Sequence, residues 1–169
     1  GAEVTLVSGP VSITSSNEVK LINVVSAEEM KKAIFKEFDQ TDILIMTAAV
    51  ADYKPKVVAN QKIKKGGEEL KLELVKTDDI LRSISTMKKN QFIVGFALET
   101  NDEKTNAKEK LRNKKLDVIV LNSLNDKGAG FGHDTNKITI ITENDEQEYD
   151  LKSKSEVASD ILNHIEKSI

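Results

Sequence analysis

Four segments of this chain carry residues whose type and spacing suit a phosphate-bearing ligand. The first, Met46-Thr47-Ala48-Ala49-Val50-Ala51-Asp52-Tyr53, begins where the apolar run Asp42–Met46 ends. Small residues let a ligand approach the backbone, and ligands of open α/β sheets bind beyond the carboxyl ends of strands. Asp52 offers a carboxylate for Mg²⁺ or a hydroxyl, although an alanine-rich turn with a solvated Asp would look the same. The second segment, Lys62-Ile63-Lys64-Lys65-Gly66-Gly67, puts movable point charges beside two hinge-capable glycines. It reads as a basic flap or as a solvated charge run. In the third, Ala107, Lys110, Leu111 and Lys114 share one helical face. Their two ammonium groups either snorkel to water or point into a cleft at phosphates. The fourth, Val94-Gly95-Phe96-Ala97-Leu98-Glu99-Thr100, has a glycine inside a strand, which suggests close approach of a backbone or ligand. Phe96 could stack on a base, but core filling is the commoner use of such a ring.

Other chemistries lack their residues. The chain has no cysteine, hence no disulfide, thiolate nucleophile or cysteine zinc site. Its two histidines, His133 and His164, are too few for a histidine-rich metal site. His133 reads as a solvent-facing residue next to the glycine-rich stretch Gly128-Ala129-Gly130-Phe131-Gly132. No G-x-G-x-x-G, Walker A or Ser-His-Asp pattern occurs. A formal net charge of −3 argues against bulk nucleic-acid binding. No apolar run approaches the ~20 residues of a membrane span, and no signal peptide is visible. A soluble, cytoplasmic protein is the simplest expectation.

The elements that must position these segments alternate in type. Strands are expected at Glu3–Val7, Val19–Val25, Asp42–Met46, Leu70–Val75, Phe92–Ala97 and Asp117–Leu121. Asp42–Met46 is so apolar that it suits a central parallel strand covered on both faces. Helices are expected after Ser26, over Asp78–Lys88, after Asn101 and over Ser153–Ile169. Ser26 with Glu29, and Ser153 with Glu156, have capping-box spacing. The apolar stripes are Met30, Ala33, Ile34 and Phe38 in the first helix, and Val157, Ile161, Leu162 and Ile165 in the last. Lys137–Thr142 and Gln147–Leu151 read as a hairpin. The alternation predicts one α/β domain over residues 1–169, Rossmann-like, with a mostly parallel sheet, helices on both faces and a C-terminal antiparallel hairpin. Gly1-Ala2 running straight into a strand suits either a βα unit that precedes residue 1 or a domain that begins with a strand, and the first is the expectation taken.

In this order, Ala48-Ala49-Val50-Ala51-Asp52-Tyr53, Lys62-Ile63-Lys64-Lys65, Leu74-Val75-Lys76-Thr77-Asp78-Asp79-Ile80-Leu81 and Val94 through Thr100 resemble the phosphopantothenoylcysteine synthetase family. The opening Gly1–Pro10, Leu116-Asp117 leading to Asn122, and Gly130-Phe131 with Asn136 extend the likeness over essentially all 169 residues. The resemblance implies a ligase of coenzyme A biosynthesis that joins 4′-phosphopantothenate to cysteine through an acyl-cytidylate, using CTP and Mg²⁺. It implies nucleotide contacts at Met46, Thr47, Ala48, Asp52, Lys62, Asp78, Asp79, Ile80, Leu81, Phe96, Lys110 and Lys114, with Lys62 on a closing flap and as the catalytic charge stabiliser. It also implies a homodimer and a decarboxylase partner, fused or separate. The family's usual proline before Asp79 is Asp78 here. Two rival classes are a nicotinamide-dependent oxidoreductase and a non-catalytic binding module. The ligase expectation requires the alanine bend, the lysine string and the amines of Lys110 and Lys114 to converge on one triphosphate.

Overall fold

The computed structural model describes residues 1–13, 18–64, 69–123 and 132–169. These divide into two compact units, one of Gly1–Asp39 with Ala49–Ile80 and one of Gln40–Ala48 with Leu81–Ile169. Lys65, Gly66 and Gly67 of the basic string, and Gly128 to Phe131 of the glycine-rich stretch, lie outside the described residues.

In the first unit, β1 (Thr5–Ser8) and β2 (Lys20–Asn23) pair in parallel, with Thr5 opposite Lys20 and Ser8 opposite Asn23. Helix α1 (Ala27–Phe38) follows and buries Met30, Ile34 and Phe38. Its start is sealed much as the spacing predicts. Ser26 Oγ accepts the Glu29 N–H at 3.2 Å, while the Glu29 carboxylate reaches back to the Val25 N–H at 2.8 Å. These bonds satisfy donors that a helix start leaves unpaired. The unit's other strands, β4 (Tyr53–Pro55) and β5 (Leu74–Lys76), form an exposed antiparallel ribbon with Tyr53 opposite Lys76. Sequence periodicity missed β4, and β5 is shorter than the expected Leu70–Val75. A three-residue strand containing Pro55 has too little length for an alternating pattern to register.

In the second unit a mixed five-stranded sheet runs in the order β10-β9-β7-β6-β3. Strands β3 (Ile43–Met46), β6 (Phe92–Glu99) and β7 (Val118–Ser123) are parallel, whereas β9 (Thr139–Ile141) and β10 (Glu146–Glu148) add the antiparallel hairpin. The parallel part is therefore three strands, and β3 stands at the end of the strand order, not in the middle of it. Its Ile43 and Ile45 are correspondingly exposed. An apolar run cannot report its own place in the order, because that depends on which strands pair around it.

Alternation along β6 splits its side chains between two faces. Val94 lies in a core cluster with Val118, Val120, Ile138 and Ile140, and Val157, Ile161 and Ile165 of α4 (Lys154–Glu166) cover it. Leu162, expected in the α4 stripe, is 57% exposed and sits outside this face. On the opposite face, Gly95 meets side chains of α2 (Ile80–Ser85) and of the segment after α3 (Glu103–Asn113). Helix α2 is much shorter than the expected Asp78–Lys88. At the head of α4 the capping box is complete, with Ser153 Oγ accepting from Glu156 N–H and the Glu156 carboxylate accepting from Ser153 N–H. A two-stranded pair, β8 (Thr135–Asn136) with β11 (Lys152–Ser153), completes the unit.

Candidate functional site

The expected ligand-binding residues divide between the units. Met46, Thr47, Ala48, Leu81, Phe96, Lys110 and Lys114 belong to the second; Asp52, Lys62, Asp78, Asp79 and Ile80 belong to the first.

In the second unit, β3 stops at Met46, which lies opposite Gly95, while β6 continues to Glu99. Thr47 and Ala48 follow as exposed small residues at that carboxyl end. One residue past this level, the Phe96 carbonyl accepts a hydrogen bond from Lys110 Nζ at 2.7 Å. The lysine stem crosses the packed face of α3, where Ala107 and Leu111 are buried, and the ammonium ends on the sheet and not in bulk water. Simple snorkelling does not describe Lys110. Lys114 differs. It caps the C-terminus of α3, one turn beyond Lys110 and toward the loop that leads into β7. Because Glu103, at the other end of α3, bonds Ser123 at the end of β7, the helix runs back along the sheet. Lys114 therefore lies farther than Lys110 from the strands' carboxyl ends.

Gly95 has a different task from the one its type suggested. A Cβ there would lie 2.7 Å from Leu116 Cδ1 and 3.1 Å from Leu81 Cδ2. The close approach comes from two leucine side chains, which helps seat α2 and the segment after α3 on the sheet. The Phe96 ring is half-buried and packs against the edge of the α4-covered cluster. The Phe96 carbonyl is engaged at the strand end by Lys110.

In the first unit, the Asp52 carbonyl accepts the Thr77 N–H at 2.8 Å, closing the end of the β4–β5 ribbon. Asp78 is exposed, and its carboxylate takes the Lys31 ammonium of α1 at 2.7 Å. The hydrogen bond and then the charge of Lys31 hold its pKa below the ordinary carboxylate value. Glu28 of α1 is likewise held low by Lys32, with Lys54 of β4 at 3.9 Å. Thus the acid standing where the family has proline carries its charge compensated. Ile80 is buried, whereas Asp52, Asp79 and Lys62 are exposed.

Sequence reading missed Lys31, because nothing local links it to a residue 47 positions away. It also missed the outward stripe of α3. Lys104 and Lys108 meet Glu146, Lys104 also meets Glu148, and Arg112 meets Glu143, which ties the helix to the β9–β10 hairpin and its turn. The i, i+4, i+8 spacing of those cations was the available signal. Among the described residues no group of three or more Asp, Glu or His side chains could hold a metal. His133 is exposed, as expected.

A family model described as the DNA/pantothenate metabolism flavoprotein C-terminal domain matches residues 1–169. A protein of an unknown prokaryotic organism, named cysteine/cysteine sulfinic acid decarboxylase, is 54% identical over 168 residues, 98% of this chain and 47% of that protein. The coenzyme A biosynthesis bifunctional protein CoaBC of Bacillus subtilis (strain 168) is 44% identical over 167 residues, 98% of this chain and 41% of that protein. The chain thus spans less than half the length of these curated relatives. A crystal structure of the C-terminal domain of CoaBC superposes with a TM-score of 0.83 at 39% identity, covering 99% of this chain and 77% of that one. The DNA/pantothenate metabolism flavoprotein from Streptococcus pneumoniae, at 18% identity and a TM-score of 0.81 over 100% of this chain and 82% of that one, shares the fold.

Proposed function

The chain belongs to the family of the DNA/pantothenate metabolism flavoprotein C-terminal domain, and on that footing we propose that it is a ligase joining the carboxylate of 4′-phosphopantothenate to the amine of cysteine, with CTP as the activating nucleotide. The observation that carries this most directly is the Lys110 ammonium, fixed on the Phe96 carbonyl one residue past the carboxyl end of β3. A cation held there suits a phosphate arriving over the small residues Thr47 and Ala48.

In the first step a carboxylate oxygen of phosphopantothenate attacks the α-phosphorus of CTP. The bond from that phosphorus to the bridging oxygen breaks, and pyrophosphate leaves with the electron pair. Lys110 offsets phosphate charge from a fixed position and Lys62 from a movable one. In the second step the cysteine amine attacks the acyl carbon, the carbon–oxygen bond to CMP breaks, and the amine loses a proton to solvent. A flap carrying Lys62 that closes over the mixed anhydride would exclude water and protect it from hydrolysis.

Mg²⁺ fits the residues present. This ion is commonly held by substrate phosphates with one or two carboxylates and seldom by an all-protein cage. With no cluster of three acids among the described residues, Asp52 is the exposed carboxylate best placed in sequence to serve. Bound with the nucleotide, the ion would neutralise phosphate charge.

Because the Bacillus subtilis relative is called bifunctional, the proposal extends to a decarboxylase partner, fused or separate; the family likeness extends it further to a cytoplasmic homodimer. No helix among the described residues is long and apolar enough to cross a membrane. The relative named for cysteine decarboxylation supplies the second reading, although this chain spans only 47% of it. A pyrophosphate-release assay with phosphopantothenate, cysteine and either CTP or ATP separates the cases. Multiple-turnover release that needs all three components, with CTP preferred, is expected, whereas omitting cysteine should stop release at about one equivalent per site. Absence of release with every nucleotide, accompanied by carbon dioxide release from cysteine, would replace the ligase with the decarboxylase reading.

A further inference from the structure

We propose that Thr77 is a further nucleotide-binding residue whose hydroxyl pairs with a neutral group of the nucleoside. The inference rests on the ligase reading and deepens it. Thr77 Oγ1 is buried and has no hydrogen-bond partner among the described residues. Orphaned buried hydroxyls are uncommon in native proteins, and each calls for a cause.

The position of Thr77 supplies one. Its N–H is fixed on the Asp52 carbonyl at 2.8 Å, so the residue is held at the ribbon end beside a residue already expected to bind nucleotide. It immediately precedes Asp78-Asp79-Ile80-Leu81, the other such segment. The hydroxyl can come outward without backbone movement. Thr77 as a residue is only half-buried, and rotation about Cα–Cβ to another staggered well exchanges hydroxyl and methyl positions. The charge of Asp78 is compensated by Lys31 and Asp52 is the carboxylate assigned to Mg²⁺, so the hydroxyl's own chemistry chooses the ligand group. Uncharged, and able both to donate and to accept, it fits sugar hydroxyls or a base edge.

The test uses the full chain with Thr77→Val, which keeps the shape and removes the hydroxyl, and Thr77→Ser, which keeps the hydroxyl. Titration calorimetry with CTP and with CMP gives affinity, and a thermal melt without nucleotide gives stability. Thr77→Val should melt no lower than wild type while binding both nucleotides about three- to tenfold more weakly. Thr77→Ser should bind as wild type does. Wild-type affinity in Thr77→Val would overturn the proposal, as would a melt well below wild type, which would give the hydroxyl a structural partner. Weakening confined to CTP would move the contact to the phosphates and overturn the nucleoside assignment. If the wild type binds neither CTP nor ATP, the ligase reading itself fails and this inference falls with it.

Discussion

Lys110 Nζ donates to the carbonyl of Phe96 at 2.7 Å, joining the third turn of α3 to the sheet one residue beyond the level where β3 stops. A lysine carries three donors on a flexible stem, and fixing one of them on a backbone carbonyl narrows where the charge can go. Preorganising a cation in this way lowers the ordering cost that a phosphate contact would otherwise meet.

Replacing Lys110 by Ala should therefore weaken CTP binding about tenfold or more, on the order of 1.5–3 kcal/mol for a lost charge-assisted hydrogen bond. Lys114→Ala should cost less, because Lys114 lies a turn farther from the strand ends. Titration of both variants with CTP checks the order. Equal losses would place the two amines on the ligand alike.

Lys62 is exposed and belongs to no helix or strand, so its removal threatens no packing. Lys62→Gln should lower turnover about 100- to 1,000-fold, the usual loss for one charge-stabilising donor. Its circular dichroism and melt should match wild type. Wild-type turnover in the variant would remove Lys62 from the chemistry.

Gly95→Ala should destabilise the protein by about 1–3 kcal/mol through overpacking. The added methyl would stand 2.7 Å from Leu116 and 3.1 Å from Leu81, and both leucines are buried. Urea unfolding measures the loss, and a midpoint unchanged from wild type would mean the leucines move aside freely.

The ties between α3 and the hairpin predict a pH and salt dependence. Hydrogen bonds from Lys108 and Lys104 hold the Glu146 pKa below the ordinary glutamate value. A folded-state pKa below the unfolded one contributes stability above the ordinary range and loses it as pH falls through the depressed value. The difference in Tm between wild type and Glu146→Gln should thus be present at neutral pH, vanish under acid conditions, and shrink in high salt. Because these groups are exposed, the difference should be small. A difference that grows on acidification would contradict the assignment.

How much was legible beforehand varies with the range of the interaction. Ser153 and Glu156 announced their capping box because both partners sit within one helical turn. Met30, Ile34 and Phe38 announced a buried face because helical period alone brings them together. The order of the AAVADY, KIKK and VGFALET segments pointed to a family with which the model match over residues 1–169 agrees. Gly95 was expected to meet a backbone or a ligand, whereas it meets the side chains of Leu81 and Leu116, which lie on other elements and could not be named beforehand. Leu162 matched the α4 period and still faces water, since the width of a buried stripe depends on what packs against it.

The amino-acid sequence by itself determined the alternation of strands and helices, the sealed helix starts, and the motif order that marks the family. Each depends on neighbours a few residues apart, whose geometry the backbone period dictates. Only the tertiary structure decided that β3 ends the strand order, that Tyr53–Pro55 pairs with Leu74–Lys76, that Lys31 compensates Asp78, and that the Lys110 ammonium comes to rest on Phe96. Strand order and the destination of a long charged side chain are settled by burial and hydrogen bonding between distant segments. Those terms exist only once the chain has closed on itself.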